Sequence, residues 1–265
     1  MALIALAVFD TEQNNRSAYT EQTLYGLLKT VNFHKHQLYI SDNNSCQRTQ
    51  DIYDDFSKAF ETMYPNETLH IIDNGRNIGT ANAISQAWKE RKKDQCVVKM
   101  DNDVIIHQEG WVDKMEECIA RMPSIGIICL KRPDLEEKVN HENPHYRSEL
   151  IQLPHERGQE WLTIEKVNHG FGTVQMYNPK LLDKIGYLYQ MDGIYGFDDS
   201  LASVRCKIAG FISCFLVGTD ITHIDKGGDE YTKFKQDYAG EMFHKFEKVK
   251  QEYIDGTRSI YYSPF

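Results

Sequence analysis

Apolar runs and helical repeats alternate along the first hundred residues. Four short apolar runs have the length of buried strands: 3–9, 37–41, 68–73 and 96–100. Three stretches with apolar residues at helical spacing lie between them: 19–31, 47–63 and the segment after Thr80. This β-α-β-α-β-α-β order predicts an α/β fold with a mostly parallel sheet and helices on both faces.

The second half of the chain is less regular. Helices are predicted at 111–122, 179–186 and 198–209, and strands at 125–130, 163–168, 172–177 and 211–217. Residues 131–160 have no clear period, which predicts a long solvated loop or a functional lid. The three histidines of this loop lack the spacing typical of a zinc site: His141, His145 and His155. Residues 229–256 predict an amphipathic helix that packs on the domain, lies on a membrane surface or forms a homodimer.

Polar side chains follow each of the first four predicted strands. They are Asp10, Asp42, Asp73-Asn74 and Asp101-Asn102-Asp103. Because ligand sites of open α/β sheets lie at the carboxyl ends of strands, these clusters predict a nucleotide site along one edge. Extended backbone would place Asp101 and Asp103 on the same side. Two such carboxylates are stabilised by a divalent cation or a cationic partner, although Asp-x-Asp is also common in plain turns.

Composition narrows the class of protein. The chain has 265 residues, 41% of them hydrophobic, and a formal net charge of -9, which argues against a duplex nucleic-acid partner. Six widely spaced cysteines form no CxxC pair, so neither a structural zinc site nor a disulfide framework is expected. The apolar N-terminus lacks a basic region, and no run of 18 apolar residues occurs, so we expect a cytoplasmic protein.

Several motifs occur in an order typical of one enzyme family. They are Phe9-Asp10-Thr11-Glu12, Asp42-Asn43-Asn44-Ser45, Asn74 to Asn82, Asp101-Asn102-Asp103, Asp198-Asp199 with Arg205, and His223. In this order the chain resembles the family 2 glycosyltransferases of the GT-A fold over roughly residues 1–130 and 164–225. It departs from the family at Val8-Phe9-Asp10-Thr11, where a Pro-x-Tyr-Asn is usual, and at Asp198, where a glutamate is usual.

The resemblance implies a set of site residues. Nucleotide-sugar contacts are expected from Phe9, Asp10, Glu12, Asp42, Arg76, Asn77, Asp101 and Asn102. Asp103, Asp101 and His223 would bind Mn²⁺ or Mg²⁺, and Asp199, beside Asp198, would be the general base. His169, Gly170 and Tyr195 are candidates for acceptor binding, although aromatic residues there could equally pack in the core.

The resemblance also implies an organisation and an activity. Residues 1–130 would form the nucleotide-sugar-binding half of a single domain, residues 131–228 its acceptor-binding and catalytic half, and residues 229–265 a helical tail. We expect an inverting transferase that moves a sugar, by default from a UDP-sugar, to a glycan or glycolipid in surface polysaccharide synthesis. A divalent ion would offset the charge of the leaving diphosphate, and a carboxylate would take the proton of the acceptor hydroxyl.

Other functions remain open at this stage. Residues 98–104 also fit the first motif of haloacid-dehalogenase-like phosphatases, with Asp101 as nucleophile and Asp103 as general acid. That motif usually lies on the first strand of its domain, whereas three strand–helix units precede it here. A sugar nucleotidyltransferase would need a glycine-rich loop after strand one, and residues 10–16 contain no glycine. A non-catalytic sugar-nucleotide-binding module is the third alternative.

Overall fold

The structure is a computed structural model that describes residues 1–132, 148–170, 172–225 and 230–265. His141 and His145, and with them half of the predicted long loop, lie outside the described residues. The strands of the main sheet are β1 Ala2–Val8, β2 Gln37–Asp42, β3 Leu69–Asp73, β4 Cys96–Met100, β6 Ile125–Leu130, β7 Glu149–Gln152, β8 Thr163–Val167, β9 Val174–Tyr177 and β10 Ile212–Leu216. The helices are α1 Ser17–Thr30, α2 Gln47–Met63, α3 Thr80–Trp88, α4 Trp111–Arg121, α5 Pro179–Ile185, α6 Asp198–Ile208 and α7 Glu230–Ile254.

One mixed sheet runs through both halves of the chain. Its order is β3-β2-β1-β4-β9-β6-β10-β8-β7. The first four strands are parallel, which confirms the prediction from the alternating pattern. β9 runs antiparallel between β4 and β6, β10 is parallel to β6, and β8 and β7 complete the edge in antiparallel pairs. Residues 1–130 and residues 131–228 therefore contribute strands to one sheet.

Helices cover both faces of this sheet. Apolar residues of α1, α2 and α4, such as Leu24, Phe56 and Trp111, pack on one face. Apolar residues of α3, α5 and α6, such as Trp88 and Leu181, pack on the other face. Each strand of the centre is buried on both sides, which explains why β4 and β6 read as continuous apolar runs.

Three short strands depart from the predicted elements. β5 Val104–Ile106 and β11 Ile221–His223 pair antiparallel in a small second sheet, which brings His223 next to the end of β4. β7 lies inside 131–160, so the prediction of a structureless loop is wrong for residues 149–152. Its side chains alternate too weakly to show a strand, because β7 lies at the edge of the sheet and is largely exposed.

The tail helix packs on the domain. Among its described side chains, Met242, Phe246, Val249 and Tyr253 are buried in a cluster with Met191 and Leu201. The domain therefore covers the apolar face of this part of α7, as one of the three predicted alternatives requires. Within the described residues, no helix has the length and apolar character that a bilayer crossing demands.

Candidate active site

A cavity of about 330 Å³ opens at the carboxyl ends of β1 and β4. The first turn of α6 closes its other side, so residues far apart in the chain share one wall. The side chains that matter most for its chemistry are Arg16, Lys99, Asp101, Asp103, Asp198, Asp199 and His223. Phe9, Asn77, Asn102 and Tyr195, all predicted from the sequence, also line it.

Asp101 and Asp103 leave β4 in a turn rather than in extended backbone. β4 ends at Met100, and the amide of Asp101 donates to the carbonyl of Thr173 at 2.9 Å. The backbone is therefore not extended here, as strand alternation assumed, because the chain turns before β5 begins at Val104. Both carboxylates still line the cavity, but they face different partners.

Asp103 lies in a buried ionic network. Its Oδ2 accepts a short hydrogen bond from the Arg16 guanidinium, and its Oδ1 lies 3.4 Å from His223 Nε2. The same guanidinium donates to Asp225 Oδ2 at 2.6 Å. Arg16 precedes α1, so the start of this helix holds the end of β4 in place.

The hydrogen bonds of His223 show which ring nitrogen faces Asp103. Its Nδ1 lies 2.8 Å from the carbonyl oxygen of Asp225, and because a carbonyl can only accept, Nδ1 carries the hydrogen. In the neutral ring, the lone pair of Nε2 then points toward Asp103 Oδ1, an acceptor 3.4 Å away. Two acceptors this close repel each other, and a cation between them would stabilise the pair.

This pair of atoms suits a divalent cation. Neighbouring ligands of an octahedral ion with bonds of about 2.1 Å lie about 3 Å apart, close to the observed separation. A backbone carbonyl on the far ring nitrogen is a common way to orient a histidine ligand. Asp103 and His223 therefore fit the predicted metal site. Asp101, the third predicted ligand, does not converge with them within 4.8 Å in the described structure, and its role there stays a prediction.

A second group of metal-type side chains fits an ion less well. In the described part of the chain, His36, Asp113 and Glu116 have ligand atoms that all lie within 4.8 Å of one another. However, His36 Nδ1 accepts the amide hydrogen of Ala2 at 3.1 Å, so Nε2 carries the hydrogen of the neutral ring. That N–H points toward Asp113 Oδ1 at 3.4 Å, which leaves no lone pair for a metal.

Asp198 and Asp199 begin α6, as predicted. Phe197 precedes them with φ 62°, a left-handed conformation that turns the chain abruptly into the helix. Asp199 Oδ1 accepts the amide hydrogen of Ser200 at 2.7 Å, while Oδ2 lies 3.8 Å from His169 Nε2. Asp198 Oδ2 is instead buried and lies 3.3 Å from Lys99 Nζ. The two carboxylates therefore have different environments.

Lys99 is a functional candidate that the sequence pattern hid. Its side chain is only 5% exposed, and Nζ donates to the carbonyl of Gly172 at 2.9 Å. Burial alone would lower the pKa of Lys99, but the carboxylates of Asp101, Asp198 and Asp199 raise it well above its usual value. The signal available in the sequence was a lysine inside the otherwise apolar run 96–100, which predicts a paired charge.

Two of the residues predicted to contact the nucleotide are buried beside the cavity and do not line it. Asp10 accepts hydrogen bonds from Thr20, Thr49 and Asn102, and burial raises the pKa of its carboxyl. Asp42 accepts from Ser45, Gln50 and Tyr53. These bonds fasten the ends of β1 and β2 to α1 and α2. Direct contact of either aspartate with the nucleotide stays a prediction.

The other predicted contacts fall into two groups. Glu12 and Arg76 do not line the cavity in the described structure and sit in the loops after β1 and β3. His169 lies next to the cavity through its contact with Asp199. Gly170 is buried, and a Cβ there would collide with the sulfur of Cys129, so packing already accounts for this glycine. Its predicted role in acceptor binding is untested.

Comparison with known proteins places this geometry in a family. The model of "Glycosyl transferase family 2" matches residues 14–186, which include the end of β4 but not Asp198 and Asp199. Comparison with curated protein sequences gave no significant match.

Solved structures with a similar fold are glycosyltransferases. A mannosyltransferase from Pyrobaculum calidifontis, solved with GDP-Man and Mn²⁺, is 16% identical at a TM-score of 0.62, and the match covers 89% of this chain and 60% of that one. TarS from S. aureus is 14% identical at a TM-score of 0.56, with 82% and 58% covered. GalNAc-T7, solved with UDP, GalNAc and Mn²⁺, is 12% identical at a TM-score of 0.59, with 84% and 44% covered.

The structural matches cover only part of each known protein. The chain spans no more than 60% of the length of those three proteins, and at such identities the likeness shows the fold alone. The family match covers well over half of the chain and does not support the haloacid-dehalogenase-like alternative. The chain belongs to glycosyl transferase family 2 and has the GT-A fold.

Proposed function

We propose that this protein is an inverting glycosyltransferase. It moves a sugar from a nucleotide-diphosphate sugar, by default a UDP-sugar, to a hydroxyl group of a glycan or glycolipid. The observation that carries the proposal is the arrangement of two carboxylate pairs around one cavity, Asp101 and Asp103 at the end of β4 and Asp198 and Asp199 at the start of α6. The family match and neighbours solved with GDP-Man or UDP support this choice of donor class.

The donor side of the cavity is built to hold charge. Asp103 and His223 would hold the divalent ion, Mn²⁺ or Mg²⁺, and Arg16 and Asp225 orient both of these side chains. The bound ion would offset the negative charge of the diphosphate as it leaves. Asn102, Asn77 and Phe9 line the same wall and are the proposed contacts to the nucleoside and sugar.

The environments of the two aspartates on α6 distinguish their roles. Asp199 Oδ1 is held by the amide of Ser200, and Asp199 as a whole is partly exposed to the cavity, so its Oδ2 is available to take the proton of an acceptor hydroxyl. Asp198 Oδ2 is buried against Lys99, so this oxygen is not exposed to an acceptor. Asp199 is therefore the proposed base, and Asp198 supports it.

A single displacement follows from this arrangement. The base activates the acceptor on the face opposite the leaving diphosphate, so the anomeric carbon inverts in one step. No carboxylate nucleophile is needed, and His169, 3.8 Å from Asp199 Oδ2, sits where an acceptor hydroxyl would approach. Tyr195 lines the same side and is the proposed aromatic contact for the acceptor sugar.

The test is a screen of UDP- and GDP-sugars with Mn²⁺, with nucleotide release as the readout. We expect one donor to raise the melting temperature and to be turned over. Asp199→Asn should bind that donor with unchanged affinity but lose turnover by about 10²- to 10⁴-fold, because a positioned base contributes that much. The matched control is Asp183→Asn, an exposed aspartate on α5, which should leave the rate unchanged.

Two results would count against the proposal. A donor that binds without turnover by the wild-type protein under any acceptor condition would indicate a non-catalytic binding module. Near wild-type turnover by Asp199→Asn would show that another group is the base. NMR of the product's anomeric proton reports inversion or retention directly.

A further inference from the structure

Lys99 is the one buried lysine among the described residues, and it lies between the two halves of the active site. It extends from β4, and its Nζ lies 3.5 Å from Asp101 Oδ1 and 3.3 Å from Asp198 Oδ2. Asp101 belongs to the donor side of the cavity and Asp198 to the helix that carries the proposed base. One ammonium group therefore contacts both sides at once.

Gly172 shows how closely this cluster is packed. A Cβ on Gly172 would lie 2.8 Å from Lys99 Nζ and 2.9 Å from Asp199 Oδ2. The backbone of this residue thus fills the space between the ammonium and the proposed base, and its carbonyl accepts from Lys99 at 2.9 Å. A side chain there would force Lys99 or Asp199 to shift, so their present spacing depends on a glycine at this position.

The three carboxylates would repel one another without this cation. Asp101, Asp198 and Asp199 all act on Lys99, and among the described residues Asp198 Oδ2 has no hydrogen-bond partner, only the nearby ammonium charge. Like charges held close in a poorly solvated site separate or take up a proton unless a cation lies between them. A buried ammonium on a central strand is a rigid way to prevent this.

We propose that Lys99 is a positioning residue, whose ammonium ties Asp101 to Asp198 and thereby sets the distance between the bound donor and the base Asp199. The proposal rests on the glycosyltransferase function proposed above. Lys99 itself does not accept the proton of the acceptor. Its loss should affect the reaction step more than donor binding, because Asp103, His223 and Asn102 remain in place on the donor side.

The experiment compares Lys99→Ala with the wild-type protein. We expect kcat to fall about 100-fold, the loss that a misplacement of roughly 1 Å produces, while the donor Kd measured by calorimetry changes only slightly. Methylammonium or ethylammonium should restore part of kcat, because either ion fits the space left by the side chain. Tetramethylammonium at the same ionic strength should restore none. Lys58→Ala, an exposed lysine on α2, is the matched control.

A wild-type kcat in Lys99→Ala would overturn the proposal, and so would a loss that no primary ammonium restores. If this variant does not fold by circular dichroism, Gly172→Ala tests the same spacing with every charge retained. It should lower kcat at unchanged donor Kd, with Gly240→Ala, which has open space around its Cβ, as control. Unchanged kcat in Gly172→Ala would refute the role of the spacing. Absence of turnover in the wild-type protein would instead refute the glycosyltransferase function.

Discussion

Replacement of Arg16 by methionine tests the ionic network around Asp103. The guanidinium of Arg16 pairs with both Asp103 and Asp225, and all three side chains are buried. Methionine keeps most of the length and the apolar stem but removes the charge. The two carboxylates would then face each other without their shared cation.

The structure sets the size of the effect. Removal of one partner from a buried ion pair costs about 3–5 kcal/mol, and Arg16 has two such partners, so we expect the upper part of this range. For a protein of this size, 1 kcal/mol shifts Tm by about 2–4 °C, which predicts a loss of roughly 10 °C or more. Arg48→Met, an exposed arginine on α2, should cause almost no change.

Mn²⁺ should partly reverse this loss. At the proposed site the ion and Arg16 would share Asp103, and two unit charges 4 Å apart interact by about 4 kcal/mol at an effective dielectric constant of 20. In Arg16→Met the ion replaces the missing charge, so it should bind more tightly. We expect Mn²⁺ to raise the free energy of unfolding of the variant by at least about 1 kcal/mol more than that of the wild-type protein.

The assay is urea unfolding of both proteins with and without Mn²⁺, followed by fluorescence. NaCl at the same ionic strength controls for non-specific ionic effects. An equal or smaller Mn²⁺ effect in Arg16→Met would refute the reasoning, because it would mean that the ion does not bind at Asp103. A double variant with Asp103→Asn should lose the Mn²⁺ effect altogether.

Two further predictions concern the tail and the edge opposite the active site. Phe246→Ala should lower the free energy of unfolding by about 3–5 kcal/mol and also reduce turnover, because Phe246 is 8% exposed and its ring stacks on that of Phe197 at a centroid distance of 4.4 Å. The control is Phe243→Ala on the same helix. Phe243 is 49% exposed, so its loss should have a much smaller effect in thermal unfolding and rate assays. Burial lowers the pKa of His36, so below pH of about 6.5 the unfolded chain takes up a proton that the folded chain does not, and stability falls. Urea midpoints near pH 7.5 and 5.5 should therefore differ less in His36→Gln than in the wild-type protein, and an equal difference would refute this assignment.

The first part of the fold, β1 to β4 with α1 to α3, could be predicted because its signals are local. The apolar run 96–100 and the helical pattern 47–63 coincide with β4 and α2 as the structure has them. In a parallel sheet with short connections, each element contacts its neighbours along the chain, so the order of elements fixes the arrangement. For the same reason, the polar residues that follow β1, β2 and β4 lie together at one edge of the sheet.

The missed features depend on long-range contacts. β11 pairs with β5 across more than a hundred residues, and each strand has only three residues, too few for a periodic signal. Lys99 was read as part of an apolar strand, since its partner Asp198 lies far along the chain. The split between Asp101 and Asp103 depends on a turn whose geometry is set by Thr173 on the neighbouring segment.

The resemblance found more of the site than the pattern alone, but it did not rank the residues. Asp42 and Asp101 were both predicted to contact the nucleotide sugar, yet Asp42 accepts hydrogen bonds from Gln50 and Tyr53 of α2 whereas Asp101 lines the cavity. Arg205, one of the motif residues, is buried away from the cavity and donates to the carbonyls of Ile185, Tyr187 and Ile260. The direction in which each side chain points decides these roles, and a sequence motif gives no information on that direction.

The contacts of Arg205 have a consequence for the order of folding. Its guanidinium joins α6 to the carbonyl of Ile260, and Tyr262 forms backbone hydrogen bonds with Ile185 and Tyr187. The helix that carries Asp199 is therefore incomplete until residues near 262 have been synthesised. During translation, β1 to β4 can assemble early from neighbouring segments, while the packing of α6 must wait for almost the whole chain. A ribosome-stalled chain that ends before residue 255 should thus be able to form β1 to β4 without a packed α6.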